Sequence, residues 1–150
     1  QEGKMKHYAS PLLIAFITFM SACTPEPEPL VYGEDACQHC KMVLMDQKFG
    51  AEIVTTKGKV YKFDDVNCMI SFINENIKDD RDIQYKLVTQ FNKPGELTDA
   101  GTAFYVKASS IKSPMASQVA AFGDYEEMKQ HSRELKGIYL TWGELVTQFK

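Results

Sequence analysis

The chain is 150 residues long, with 44% hydrophobic and 25% charged residues, the balance of a globular protein built around one core. Seventeen Lys and Arg stand against twenty Asp and Glu, a formal net charge of -3. No basic surplus is available for a phosphate backbone, so no nucleic-acid partner is expected, and intrinsic disorder, collagen-like repetition and a polytopic membrane protein are excluded as well.

The first segment reads as an address. From Met5, where the natural start is expected (Gln1–Lys4 then lying upstream), a short basic stretch is followed by an apolar run from Pro11 to Met20 and by Ser21-Ala22-Cys23. This is the form of a secretory signal, and the apolar run is too short for a comfortable membrane-spanning helix. Met20-Ser21-Ala22-Cys23 resembles a bacterial lipobox, whose cysteine is lipidated and becomes the mature N-terminus. An ordinary cleaved signal followed by an incidental cysteine is the alternative. Thr24-Pro25-Glu26-Pro27-Glu28-Pro29 favours the lipobox reading, because alternate prolines lock φ and remove N–H donors, which predicts an extended tether. The expected organisation is therefore a signal segment over 1–22, a lipidated Cys23 with a Pro/Glu tether over 23–30, and a domain over 31–150. Such a chain is exported and held at a membrane by its lipid.

Three cysteines remain for the domain, Cys37, Cys40 and Cys68. In an exported, oxidising setting an odd number points to a free thiol, an intermolecular bond or a metal site. Cys37-Gln38-His39-Cys40 is a C-x-x-C, a pattern shared by redox couples, zinc knuckles and copper carriers. Met42 follows two residues later, and an all-sulfur donor set favours Cu(I) over harder ions. A thioredoxin-like redox site needs a strand before the motif and a long helix after it. Leu30–Ala36 and Met42–Gly50 are too short and too rich in turn formers for that. A structural zinc site of the three cysteines and one histidine also fits the composition, with His39 either a ligand or a spacer.

Ala51–Thr56 alternates and is rich in β-branched residues, Lys57-Gly58-Lys59 reads as a turn, and Val60–Phe63 returns as the hairpin partner. Asp64-Asp65 supply an N-cap and favourable charge for a helix from Val66 to Ile77. Its buried stripe is Val66, Met69, Ile70, Ile73 and Ile77. Cys68 lies beside that stripe in the first turn, as a small core residue or as a thiol facing the Cys37–Met42 loop.

Further strands are expected over Asp82–Phe91 and Thr102–Lys107, with a turn-rich loop at Asn92–Gly101 between them, and then over Val119–Phe122. Asp124-Tyr125-Glu126-Glu127 opens a helix running to Leu135, and Thr141-Trp142-Gly143-Glu144 opens a last short one. Met115, after Pro114 in a loop, is either filler or a ligand. His131 is expected on the solvated side of its helix, and Trp142 in the core or at its rim. Phe63–Ile77 can be laid on Phe122–Lys136 with Phe63/Phe122, Asp65/Asp124, Met69/Met128 and Glu75/Glu134 identical, which suggests a duplicated strand–helix unit.

The lipobox, C-x-x-C-x-M at Cys37–Met42, Tyr61-Lys62-Phe63-Asp64 at the hairpin end, the helix with Cys68, and Ser113-Pro114-Met115 before Val119-Ala120-Ala121-Phe122 together resemble the NosL family. These are copper-binding lipoproteins that accompany nitrous-oxide reductase. The resemblance covers nearly all of the chain after the anchor. It implies an α+β fold of two ββα-like units with antiparallel strands, related to that of organomercury lyase. It also implies a non-enzymatic, periplasm-facing Cu(I) chaperone that serves nitrous-oxide reductase, its assembly factors or a related exported copper enzyme. Cys37, Cys40 and Met42 match the family's N-terminal motif and Met115 its late methionine; Cys68 joins the candidate metal ligands by its place on the helix. Two departures stand out: Lys41 occupies a position where the family commonly has glycine, and Pro114 and Ala116 flank the late methionine where glycines are usual. A zinc- or disulfide-stabilised binding module and a thiol–disulfide oxidoreductase stay open as alternatives, with organomercury cleavage more remote.

Overall fold

The computed structural model describes residues 24–150, so the signal segment and the lipidation candidate Cys23 lie outside the described residues. Strand β1 (Ala51–Thr55) turns through Gly58, at φ 79°, into β2 (Val60–Phe63), paired antiparallel from Ala51↔Phe63 to Val54↔Val60. Asp65 then caps helix α1 (Val66–Asn76), which ends one residue short of the expected Ile77. The buried stripe contains Val66, Met69 and Ile70 as the periodicity requires, and Cys68 and Phe72 in addition. Phe72 extends the stripe because β2 offers it two rings, Tyr61 at 4.8 Å and Phe63 at 5.3 Å between centroids.

A single 3-10 turn at Asp80–Asp82 leads into β3 (Ile83–Gln90), antiparallel to β1. The segment expected as an Asn92–Gly101 loop is instead strand β4 (Lys93–Asp99), antiparallel to β3. Its Pro94 and Gly95 suggested a loop, yet among the described residues β4 has β3 as its only strand neighbour, and an edge strand tolerates a missing N–H. Gly95 adopts φ 83°, and a register shift at Thr89/Gln90 absorbs the irregularity.

Strands β5 (Phe104–Lys107) and β6 (Val119–Phe122) pair antiparallel and are followed by helix α2 (Tyr125–Leu135). A further strand, β7 (Ile138–Leu140), not foreseen from the sequence, adds to β5 before helix α3 (Trp142–Gln148). Thr141 and Glu144 form the expected capping box at the start of α3. The sheet runs β2-β1-β3-β6-β5-β7 with β4 beside β3, and every pairing is antiparallel except a short parallel contact of β3 with β6 at Gln90↔Ala121.

The architecture is thus α+β, with two ββα units, β1-β2-α1 and β5-β6-α2. Both helices are 11 residues long, each is N-capped by an aspartate, Asp65 or Asp124, and each follows a strand ending in a fully buried phenylalanine, Phe63 or Phe122. Met69 and Met128, the other matched pair, are both buried. Strands β5 and β6 are covered on both faces: Tyr105, Val119 and Ala121 join the core beneath α1 and α3, while Val106, Ala120 and Phe122 join a second core with Met128 of α2. His131 is not freely solvated as expected. It is half-buried, its ring 5.0 Å from that of Phe122, with Nδ1 2.8 Å from the Glu127 carbonyl oxygen. Trp142 packs partly buried against the main core, 6.0 Å from the Tyr105 ring.

The end of the Pro/Glu segment rests on the domain. Glu28 N–H donates to Glu52, the Lys62 ammonium donates to the Pro29 carbonyl, and Leu30 packs on the main core. Among the described residues, no helix is long and apolar enough to cross a membrane.

Candidate metal centre

The C-x-x-C occupies a closed turn between the bridged residues Ala36 and Val43. Cys37 N–H donates to the Met42 carbonyl and Lys41 N–H to the Cys37 carbonyl, so the turn folds back on its first thiol. Gln38 N–H donates to the Lys62 carbonyl, which fastens the turn to β2 beside the start of α1. Closing the turn puts Lys41 at φ 66°, in the left-handed region that glycine occupies without strain. A glycine would adopt this conformation freely; here the strain is carried, and the Lys41 ammonium contacts the Gln38 carbonyl.

Cys68 comes to this turn from α1. The helix begins directly after β2, so its first turn lies against the loop that β2 fastens. The thiols of Cys37, Cys40 and Cys68 and a carboxylate oxygen of Asp64 all lie within 4.8 Å of one another. Cys37, Cys68 and Asp64 are buried, at 0%, 3% and 2% exposure, and Cys40 is half-exposed at the mouth. All three cysteines are free thiols. Cys40 Sγ lies 3.5 Å from both Asp64 oxygens and donates to that carboxylate.

Asp64 is the member of the cluster that the sequence reading did not include among the candidate ligands. Of the Asp64-Asp65 pair only Asp65 caps α1, through Val66 N–H, and this leaves Asp64 free to face the thiols. The usable signal was the doubled acid itself, since one cap needs one aspartate. His39 is not part of the cluster; its Nδ1 lies 3.6 Å from Glu75 Oε2 on the outer side of α1, at a surface cleft of about 250 Å³ lined by Gln38, Lys41 and Phe72.

The three sulfurs are electrostatically unequal. A hydrogen bond from the Cys68 thiol, helped by backbone N–H groups of Cys40, Asp64 and His39, brings Cys37 down to about 6 against the opposing cost of burial. Burial pushes Cys40 up to about 11, with the Cys37 sulfur and Asp64 adding to the rise. Cys68 is raised because it donates to Cys37 and is itself buried. One thiolate and two thiols around a carboxylate form a soft, anionic donor set that could hold a metal ion, at the cost of shedding protons.

The two candidate methionines are placed differently. Met42, at the end of the turn, is 54% exposed. Met115 is half-buried and, like Cys40, packs against the core that contains Cys37 and Cys68. The Ser113–Ser117 loop that carries it is anchored on the first turn of α1: Met115 N–H donates to Asp65, and the Asn67 amide donates to the Met115 carbonyl. The redox scaffold weighed above is missing, since the C-x-x-C lies in a turn and no α-helix begins at Cys37.

The NosL family model matches residues 30–149, which is the domain with its entire thiol cluster. The chain belongs to the NosL family. Its fold is similar to that of the copper chaperone NosL from Shewanella denitrificans, with a TM-score of 0.66 at 18% sequence identity, over 80% of this chain and 95% of that one. No curated protein sequence matches it.

Proposed function

We propose that this NosL-family protein is a Cu(I) carrier, not an enzyme, and that it holds its cargo between the Cys37–Met42 turn and the start of α1. The observation that carries this reading is the convergence of Cys37, Cys40 and Cys68 with Asp64 inside 4.8 Å. Soft thiolates select monovalent copper, and two or three of them satisfy its low coordination number. A carrier must also release. Cys40 sits half-exposed at the mouth and Met42 is exposed beside it, so an incoming donor would reach the ion from that side and displace these ligands first. We assign Cys37 and Cys68 as inner thiolates, Cys40 as the exchange thiolate, and Met115 and Met42 as neutral thioether donors that add affinity without closing a cage. The copper-chaperone role of the structurally similar Shewanella protein supports the same reading.

The finer proposal is that Cys23 is lipidated, that the Pro/Glu segment holds the domain off an exported membrane face, and that the client is nitrous-oxide reductase, one of its assembly factors or another exported copper enzyme. Anaerobic titration of the reduced protein with Cu(I) against a chromophoric chelator tests the core of it. One tightly held equivalent is expected, lost on Cys37→Ser or Cys68→Ser and weakened on Cys40→Ser.

One observation favours a second reading. A buried carboxylate beside three thiols is also a four-donor set for tetrahedral Zn²⁺, with Asp64 in place of the histidine expected from the sequence. Stoichiometric zinc after native purification, combined with failure to take up Cu(I), would select that reading.

A further inference from the structure

Asp65 behaves unlike an ordinary helix cap. An N-cap aspartate accepts from the second or third N–H of its helix, as Asp124 does with Glu126 and Glu127 at the matched position of α2. Asp65 accepts from Val66 N–H alone in its helix, and its remaining capacity goes to the late loop: Met115 N–H at 3.1 Å, Ser117 N–H at 3.4 Å and the Ser117 hydroxyl at 2.6 Å. Asn67 takes over the vacated capping duty, since its side-chain oxygen accepts from Cys68 N–H. The amide end of the same side chain donates to the Met115 carbonyl at 3.0 Å.

Both backbone polar groups of Met115 are therefore gripped by side chains from the turn of α1 that carries Cys68, and one of those side chains also holds the Cys68 backbone. Secondary structure does not demand this arrangement, because Asp124 caps α2 with no loop attached. It is also maintained against strain: Ala116 and Gln118, on either side of Ser117, adopt φ 56° and 58°. Non-glycine residues stay in the left-handed region only when surrounding contacts over-determine them.

We propose that Asp65 and Asn67 are positioning residues that mount Met115 on the same turn as Cys68, so that its thioether is already ordered at the thiol cluster before copper arrives. The inference rests on the reading above that Met115 is a copper ligand. Its consequence is thermodynamic: a ligand loop that is ordered in the metal-free protein costs nothing further to order on binding. A free Ser113–Ser117 loop would have to be ordered at the expense of affinity.

The test uses the full chain, reduced and anaerobic in detergent, with Cu(I) competed against a chromophoric chelator. Met115→Leu, Asn67→Ala and the double variant are compared, and the Met115 methyl is followed by carbon-13 NMR in methionine-labelled, metal-free protein. Asn67→Ala is expected to weaken Cu(I) about three- to tenfold, the range for ordering one side chain. It should have no further effect once Met115 is leucine, and it should broaden or average the Met115 methyl signal. Equal losses from Asn67→Ala with and without the Met115 thioether, or an unchanged methyl signal, would overturn the clamp while leaving Met115 a ligand. An inert Met115→Leu would instead remove Met115 from the site and the clamp with it.

Discussion

The thiols of Cys68 and Cys37 lie within 4.8 Å of each other, joining the first turn of α1 to a turn that lies on the far side of the β1–β2 hairpin in sequence. This contact is the largest cause of the low Cys37 value of about 6, so its removal has a predictable sign. Cys68→Ser keeps an O–H donor and should leave Cys37 a thiolate at neutral pH. Cys68→Ala removes the donor and should move Cys37 up toward the ordinary thiol value. Thiolate absorbance near the far ultraviolet, followed against pH in a Cys40→Ser background, checks this. A Cys68→Ala curve still centred near 6 would assign the depression to the backbone N–H groups instead.

Copper affinity should depend on pH in a way set by the same inequality. Between about 6 and about 11 Cys37 is already ionised while Cys40 and Cys68 are protonated. If all three thiolates bind, about two protons leave per ion, and apparent affinity rises about a hundredfold for each pH unit across that window. Below about 6 Cys37 also takes a proton, and the dependence steepens by one more proton. The slope of the logarithm of the apparent constant against pH is the measurement; a slope near one would leave only one of the two protonated thiols in the site.

Much of this site was legible because its parts are written locally. Cys37, Cys40 and Met42 share one short motif, and the alternation of β1 and β2 followed by the stripe of α1 placed Cys68 in the first turn of a helix, where it could be either a core residue or a thiol facing that motif. Asp64 was hidden by its neighbour: two adjacent aspartates before a helix read as one capping device, and only tertiary structure divides the roles between them. Strand β4 was hidden for another reason. Pro94 and Gly95 are local vetoes on a strand, and being at the sheet's edge, which no local pattern encodes, lifts them. His131 shows the same limit, since the polar character of α2 gave no sign that Phe122 would receive the imidazole.

Lys41 carries a testable strain. At φ 66° a residue with a Cβ is disfavoured by roughly 1–2 kcal/mol, partly offset in glycine by the entropy of the unfolded chain. Lys41→Gly should therefore stabilise the fold by up to about 1 kcal/mol, and Lys41→Val should destabilise it by more than that because of its branched Cβ. Urea midpoints of the reduced, metal-free protein measure both. A glycine variant less stable than the parent would mean that the Lys41 side chain, through its contact with the Gln38 carbonyl, holds the turn more firmly than its backbone strains it.

Glu52 offers the clearest stability prediction outside the site. It is fully buried on β1; one oxygen accepts from Glu28 N–H and Oε2 has no partner. Lys62, its cross-strand neighbour, directs its ammonium to Asp35 at 2.8 Å and to the Pro29 carbonyl at 2.9 Å. Burial accordingly raises the Glu52 carboxyl above its ordinary value of 4.5. A carboxyl raised in the folded state binds its proton more tightly there than in the unfolded chain. Its contribution is thus most favourable below the ordinary carboxylate range and is lost as pH rises through the raised value. Glu52→Gln stays neutral and keeps a carbonyl oxygen for Glu28 N–H, so it should gain on the parent protein as pH goes from about 4 to 7. Urea midpoints of both proteins across that interval give the answer. A difference that does not change with pH would mean that the fold accommodates the ionised carboxylate without cost, with Lys62 neutralising it from β2.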